Sequence, residues 1–457
     1  MISQIHNKSD QMVQNQKQEI ANSTFKIQPD NFFNEETPTE LNTDSSTDLD
    51  RQLTESSEPF STMGISSIKT LFYEVGIDHV TKDQVQNFLN RLPRIEHLDY
   101  HQSTFEIIRF LCQNPDFAIL IYDSQVLNYI NYSTFETVDD QIKTFVSDIV
   151  LEIITAEPEA INTFLTNFFP YFYNNLKSND LFENGGLAIH LQLAIKFIQE
   201  IDDQNQIEAI FKRFTLFIHH GDSDVTSASL KGILYSIKYH PFLLRDSEFS
   251  SDIFIDRLVF LCSNKNKKTG PLVFIIFGHL VCNNFKYPKN TYMKICKLLI
   301  TYMSLSEDTG RKDAISLIGF AFSNPSFVDS LSPNSDYSPF DQLMSSFLEA
   351  YRKFKLSEKR EAVYVFANFF GFIPNEIIQR YASNELFFTD LIDTLEFDEP
   401  QVLIPLLNGL DKPLKVNPDT FTLSQKAALI DSISELTKLD DDHLARTADY
   451  IIKQLSS

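Results

Sequence analysis

The sequence predicts an all-α fold in which helices of one pattern recur along most of the chain, and three observations carry that prediction. Apolar segments of helical length run up to a proline repeatedly: FEIIRFLCQNP at Pro115, VSDIVLEIITAEP at Pro158, LKGILYSIKYHP at Pro241, FIIFGHLVCNNFKYP at Pro288, AISLIGFAFSNP at Pro325 and AVYVFANFFGFIP at Pro374. A residue preceding proline is disfavoured in the helical region, so each proline marks a stop. The marks are spaced 43 residues from Pro115 to Pro158, 83 (two steps) to Pro241, then 47, 37, 49 and 39 to Pro413. LAIHLQLAIKFIQEIDD fills the unmarked step. Third, 12 glycines among 457 residues are too few for a turn-dense sheet fold, while 41 phenylalanines supply ample apolar surface.

Taken in order, residues 1–65 are rich in Asn, Gln, Ser, Thr, Asp and Glu without apolar period, which predicts a disordered acidic tail. Within it, STFKIQPDNFFNEETP gathers Phe25, Ile27, Phe32 and Phe33 among Asp30, Glu35 and Glu36, a candidate linear motif. Residues 43–58 set hydroxyls beside acids in a pattern suited to an acid-directed kinase. Folded structure is expected from 66, with Val85, Phe88, Leu89 and Leu92 at helical spacing before Pro93. Helices are expected over 104–114, 124–132, 138–156 from an N-cap at Thr137, and 159–177. A long apolar helix followed by an amphipathic one then recurs: 187–201 with 205–220, 224–240 with 251–263, 271–284 with 289–304, 311–323 with 339–354, 358–371 with 384–395, and 401–410 with 422–455. Ile315, Leu317, Ile318, Phe320, Ala321 and Phe322 point all round the wheel, so that helix needs cover on more than one side. Gly221 and Gly270 fall where helices end or begin.

The net charge of −23 is unevenly spread. Residues 1–65 carry −7, 66–264 carry −13, 265–360 carry +6 and 361–457 carry −9. Overall acidity opposes nucleic-acid and anionic-membrane binding, since phosphates are repelled at long range. Cys112, Cys262, Cys282 and Cys296 lie singly in apolar helical patterns and read as reduced, buried small hydrophobes, hence a reducing compartment. The polar first thirty residues hold no secretion-signal core, and the apolar run 270–282 is too short to span a bilayer. Sequons at Asn7, Asn22 and Asn131 therefore carry no meaning, and an intracellular, cytoplasmic protein is expected.

No phosphate loop, dinucleotide fingerprint, HExxH, GxSxG or EF-hand loop occurs, so neither an enzyme nor a cofactor nor a metal is expected. His97 and His101 have zinc-compatible spacing beside Glu96 and Asp99, but no third ligand is indicated. His219 and His220 read as a helix terminus. Asp440, Asp441 and Asp442 read as a solvated helix start, and Glu396, Asp398 and Glu399 similarly. The basic island is the sharper feature. Lys265, Lys267 and Lys268 occupy a loop, Lys286, Lys289, Lys294 and Lys297 flank or lie on one helix, and Arg352, Lys353, Lys355, Lys359 and Arg360 lie at another. If second helices of successive repeats line one surface, Lys294, Lys297, Tyr351, Arg352 and Lys353 become a partner-binding patch for an acidic or phosphorylated peptide.

On its period and helix pattern, residues 66–457 resemble an armadillo/HEAT-like solenoid, whose units run to roughly 40–47 residues. The resemblance implies a right-handed superhelix of about seven repeats and a non-enzymatic scaffold binding a protein or peptide along its concave inner helices. Nuclear-import carriers of that class hold basic peptides on a Trp and Asn ladder behind a basic N-terminal segment; this chain has no Trp and an acidic tail, which sets them aside. The alternatives are a regulator resembling armadillo-like chaperone nucleotide-exchange factors, or one whose own tail occupies the groove.

Overall fold

In the computed structural model, the residues described are 43–54, 62–92, 101–124, 126–129, 135, 139–177, 186–263, 268–282, 286–304, 310–331, 338–397 and 399–456. Among them there are helices and no strand. The motif around Phe25 to Phe33, the His97 position, Thr137, Lys265, Lys267 and the three sequons lie outside them. Packing divides the chain between Tyr239 and His240 into two compact units.

The first unit holds α1 (Thr43–Thr54), α2 (Thr62–Val75), α3 (Lys82–Arg91), α4 (His101–Cys112), α5 (Pro115–Asp123), α6 (Asp140–Ala156), α7 (Ile161–Asn167), α8 (Phe169–Lys177), α9 (Leu187–Ile198), α10 (Gln204–Phe217) and α11 (Ser223–Tyr239). Here α2, α4, α6, α9 and α11 pack each against the next, and the intervening helices form the other layer. The second unit holds α12 (Asp252–Ser263), α13 (Gly270–Cys282), α14 (Lys289–Ser304), α15 (Arg311–Phe322), α16 (Pro325–Ser330), α17 (Pro339–Tyr351), α18 (Leu356–Phe372), α19 (Asn375–Ala382), α20 (Glu385–Thr394), α21 (Pro400–Val416), α22 (Leu423–Leu436) and α23 (Asp442–Ser456). Its long-helix row is α13, α15, α18, α21 and α23, with α12, α14, α17, α20 and α22 as the second row.

The repeat is also written in hydrogen bonds. Side chains tying one long helix to the next span 37 residues (Lys69–Glu106), 41 (Lys412–Gly371), 43 (Asn324–Val281), 47 (Arg311–Glu358) and 49 (Asn368–Gly319). That is the same range as the intervals between proline marks. The stops work as the sequence implies: at Asn324–Pro325 the Asn324 side chain caps α16, accepting from Phe327 N, while its Nδ2 donates to Val281 O at 2.9 Å. Every residue from Ala314 to Phe322 is buried, so α15 is indeed covered on all sides.

Four expectations need correction. Within the tail expected over 1–65, residues 43–54 form α1, whose Leu49 and Leu53, one turn apart, are buried against α2 and α3, while residues 1–42 lie outside those described. Helix 159–177 breaks at Phe168, because Pro170 removes the N–H that would continue the ladder. Helix 422–455 is two helices, the second capped by Asp441, which accepts from Leu444 N at 2.8 Å. Conversely α21 runs on past Pro405 and Pro413 to Val416. The carbonyl that Pro405 leaves without its helical partner, that of Gln401, accepts from the Tyr364 hydroxyl of α18 at 3.3 Å.

Candidate interaction surface

The structure separates the five residues of the sequence-derived patch. Lys294 on α14 is held by Asp252 (2.7 Å) and Asp256 (2.8 Å) of α12, and those hydrogen bonds raise its pKa. Lys297 is exposed nearby. Cys296 Sγ lies 3.5 Å from Pro339 O, at the start of α17, whereas Arg352 follows the far end of that 13-residue helix. At 1.5 Å per residue that is roughly 20 Å along the axis. Neighbouring second-row helices run parallel, so only residues at equal height meet. Tyr351 is a core residue, 1% exposed, its hydroxyl donating to Asp393 at 2.7 Å with the Lys359 ammonium 5.2 Å from its ring centre. Burial and the Asp393 carboxylate push its pKa far up.

What remains together is the turn between α17 and α18, where Arg352, Lys353 and Lys355 are all exposed. Lys359 and Arg360 are committed to Asp393 and Glu399, and Arg311 to Glu358. The turn leads directly into a stripe on α18: Leu356, Arg360, Tyr364, Asn368 and Phe372 recur every fourth residue and keep solvent contact, Leu356 at 75%. The corresponding stripe on α21 is Gln401, Pro405, Asn408, Lys412 and Val416.

Two hydrogen bonds hold these stripes in register, from Tyr364 and Lys412, and a third, from Asn368, ties α18 to α15. Asn368 Nδ2 donates to Gly319 O at 2.9 Å, Tyr364 to Gln401 O, and Lys412 Nζ to Gly371 O at 2.9 Å. Below them α18 and α21 touch backbone to backbone: a Cβ at Gly409 would stand 2.5 Å from Ala367 O, so only glycine allows the approach. Only Arg360, Tyr364 and Asn368 fall within the expected helix 358–371, and their mixed chemistry hides the series; Leu356 and Phe372 lie beyond its expected ends.

Under the turn sits Asp390 of α20, 3% exposed, whose Oδ2 has no hydrogen-bond partner among the described residues. Burial raises its pKa to about 6, opposed by the charge of Arg352. Other acid groups serve the fold. Ser316 donates to Glu361 at 2.8 Å, and burial brings the adjacent Asp313 to about 7. His220 closes the end of α10 by accepting from Asp222 N at 3.0 Å. His101 opens α4. Among the described residues no group of three or more His, Cys, Asp or Glu can hold a metal ion, and no helix is long and apolar enough to cross a membrane.

Rows of paired helices repeating at about 40 residues, with each helix of a row packed on the next, define a helical-repeat protein of the armadillo/HEAT-like class. No protein-family model matches the sequence, and no curated protein matches it. Among solved structures, an engineered protein from a structural-genomics consortium matches with TM-score 0.59 and 13% identity over 91% of this chain and 96% of its own, which shows a shared fold. A designed armadillo repeat protein matches with TM-score 0.34 and 11% identity over 57% of this chain and 98% of its own. The fold is one commonly used for binding proteins and usually without enzymatic activity.

Proposed function

We propose that the protein is a non-enzymatic scaffold that holds a partner polypeptide along the long helices α18 and α21, with an acidic or phosphorylated segment of the partner at Arg352, Lys353 and Lys355. One observation carries the reading: the stripe from Leu356 to Phe372 and its counterpart from Gln401 to Val416 are fixed by inter-helix hydrogen bonds from Tyr364, Asn368 and Lys412. A surface already ordered loses little conformational entropy on binding. Its composition suits an extended chain, with the Asn368 and Asn408 amides for backbone groups, Leu356, Phe372 and Val416 for apolar side chains, and the cationic turn for carboxylates or phosphate.

The test is affinity purification with mass spectrometry on the full chain, comparing wild type with an Arg352→Glu, Lys353→Glu, Lys355→Glu variant and with Phe372→Ala, Asn408→Ala. Arg446→Glu, at an exposed position of α23, is the control. Proteins captured by wild type and the control but lost from both test variants support the reading; identical partner sets would refute it.

A further inference from the structure

The cationic turn ends in a serine that lacks the backbone tie made by several other serines of this unit. Ser316, Ser330, Ser383 and Ser434 each donate to the carbonyl four residues back. Ser357 is in the first turn of α18, where no helical carbonyl stands behind it; it is exposed, and its hydroxyl has no partner among the described residues. Five, four and two residues before it stand Arg352, Lys353 and Lys355, none of them in an ion pair among the described residues. Arg352 and Lys355 act through space on Asp390 and Glu358. Glu358, the acid next to Ser357, is turned inward: both its oxygens accept from Arg311, at 2.8 and 2.9 Å. An accessible, unengaged hydroxyl preceded by three free cations, its one adjacent acid already neutralised, is the charge pattern that an acidic kinase cleft recognises.

In the hydroxyl-rich stretch at 43–54 one serine differs on both accessibility and engagement. Ser45 is buried on α1 and donates to Glu74 Oε2 at 3.0 Å, so phosphoryl transfer there would first require α1 to detach.

We propose that Ser357 is a phosphorylation site for a kinase directed to basic sequences, and that its phosphate switches off binding of acidic segments at Arg352, Lys353 and Lys355. The second half rests on the function proposed above. In the transfer, Ser357 Oγ forms a bond to the γ-phosphorus of a nucleoside triphosphate while the bond to the diphosphate breaks. The kinase base takes the hydroxyl proton, leaving phosphoserine and nucleoside diphosphate. The group adds about −1.5 to −2 charges at pH 7, which takes the turn from three positive charges to about one. Lys353, Lys355 and the start of α18 then satisfy the phosphate from within the chain, in direct competition with a partner's carboxylates.

The experiment uses the full chain, a purified base-directed serine kinase with γ-labelled ATP, and a fluorescent deca-glutamate peptide as probe. Label is expected at Ser357 in the wild type, absent from that position in Ser357→Ala, and incorporated about tenfold more slowly when Arg352, Lys353 and Lys355 are all glutamine. Circular dichroism checks that the triple variant is folded, and Arg352→Gln alone, expected to slow labelling less, serves if it is not. Deca-glutamate affinity should fall about tenfold on phosphorylation and in Ser357→Asp, and stay unchanged in Ser357→Ala. No label at Ser357, or equal labelling in the glutamine variants, overturns the site while leaving deca-glutamate binding to stand. Label at Ser357 with equal probe affinity before and after overturns the switch. Failure of deca-glutamate to bind the unmodified chain overturns the acidic-partner reading and the switch with it, leaving the phosphoacceptor standing on its label.

Discussion

In the first unit the long helices are tied across positions that keep contact with water: Lys69 with Glu106, Arg109 with Asp148, and Gln102 with Gln141. In the second unit, beside exposed ties such as Lys412 to Gly371 O, further ties go inside. Arg311 makes a bidentate pair with Glu358, both side chains almost wholly buried, Asn324 reaches Val281 O in the core, and Gly409 lies against the backbone of Ala367. Both arrangements hold repeats at the same spacing, yet they differ in what happens when a partner is removed. A group left at the surface regains water, whereas one left in the core does not.

The largest effect is expected at Arg311. Arg311→Ala leaves Glu358 buried without its counter-charge and should lower the unfolding free energy by about 3–5 kcal/mol in denaturant titrations. Although burial opposes it, hydrogen bonding to Arg311 holds Glu358 below the ordinary carboxylate range. A depressed folded value means the stabilisation is present above the unfolded pKa and is lost as pH falls through the folded one. The wild type should therefore lose stability in acid that Arg311→Ala never had.

Next comes Gly409→Ala, whose new methyl would meet Ala367 O unless α21 moves away from α18; about 1–3 kcal/mol is expected, with m-values unchanged. Because the stripes share that contact, binding to the surface should weaken too.

Asp390 has the opposite sign to Glu358. Its folded pKa is raised to about 6, so its contribution is fully present below its unfolded value near 4 and is lost as pH rises through about 6. Asp390→Asn should accordingly compare better with wild type at pH 7.5 than at pH 4, by about 1–2 kcal/mol in urea midpoints taken at the two pH values. A difference independent of pH would mean that the carboxyl titrates in the folded protein as it does in the unfolded chain.

The smallest effect is expected in the first unit. Arg109→Ala, at a part-exposed pair, should cost about 0.2–1 kcal/mol, and less in high salt. A loss as large as that of Arg311→Ala would erase the distinction between the units.

Much of the architecture was legible in order of residues because its signals are local. Asn324–Pro325 stops a helix by the restriction proline places on its neighbour, and Asn324 then caps the next; both are properties of a few consecutive residues. Leu49 and Leu53 were read as tail because two apolar residues in a polar stretch show no period, and only α2 and α3 give them a face to cover. Lys294 and Tyr351 were misassigned for a similar reason: the acids that neutralise Lys294 lie 38 and 42 residues earlier, and Asp393 lies 42 residues after Tyr351.

The amino-acid order alone determined the helical class, the repeat length and the places where helices stop, since these follow from apolar periodicity and from proline and asparagine acting on adjacent backbone. Only the tertiary structure decided which cations stay free. That depends on the height at which one helix settles against the next, fixed by contacts such as Gly409 on Ala367, and it left Arg352, Lys353 and Lys355 exposed at the head of α18 while committing Lys294 to its neighbours.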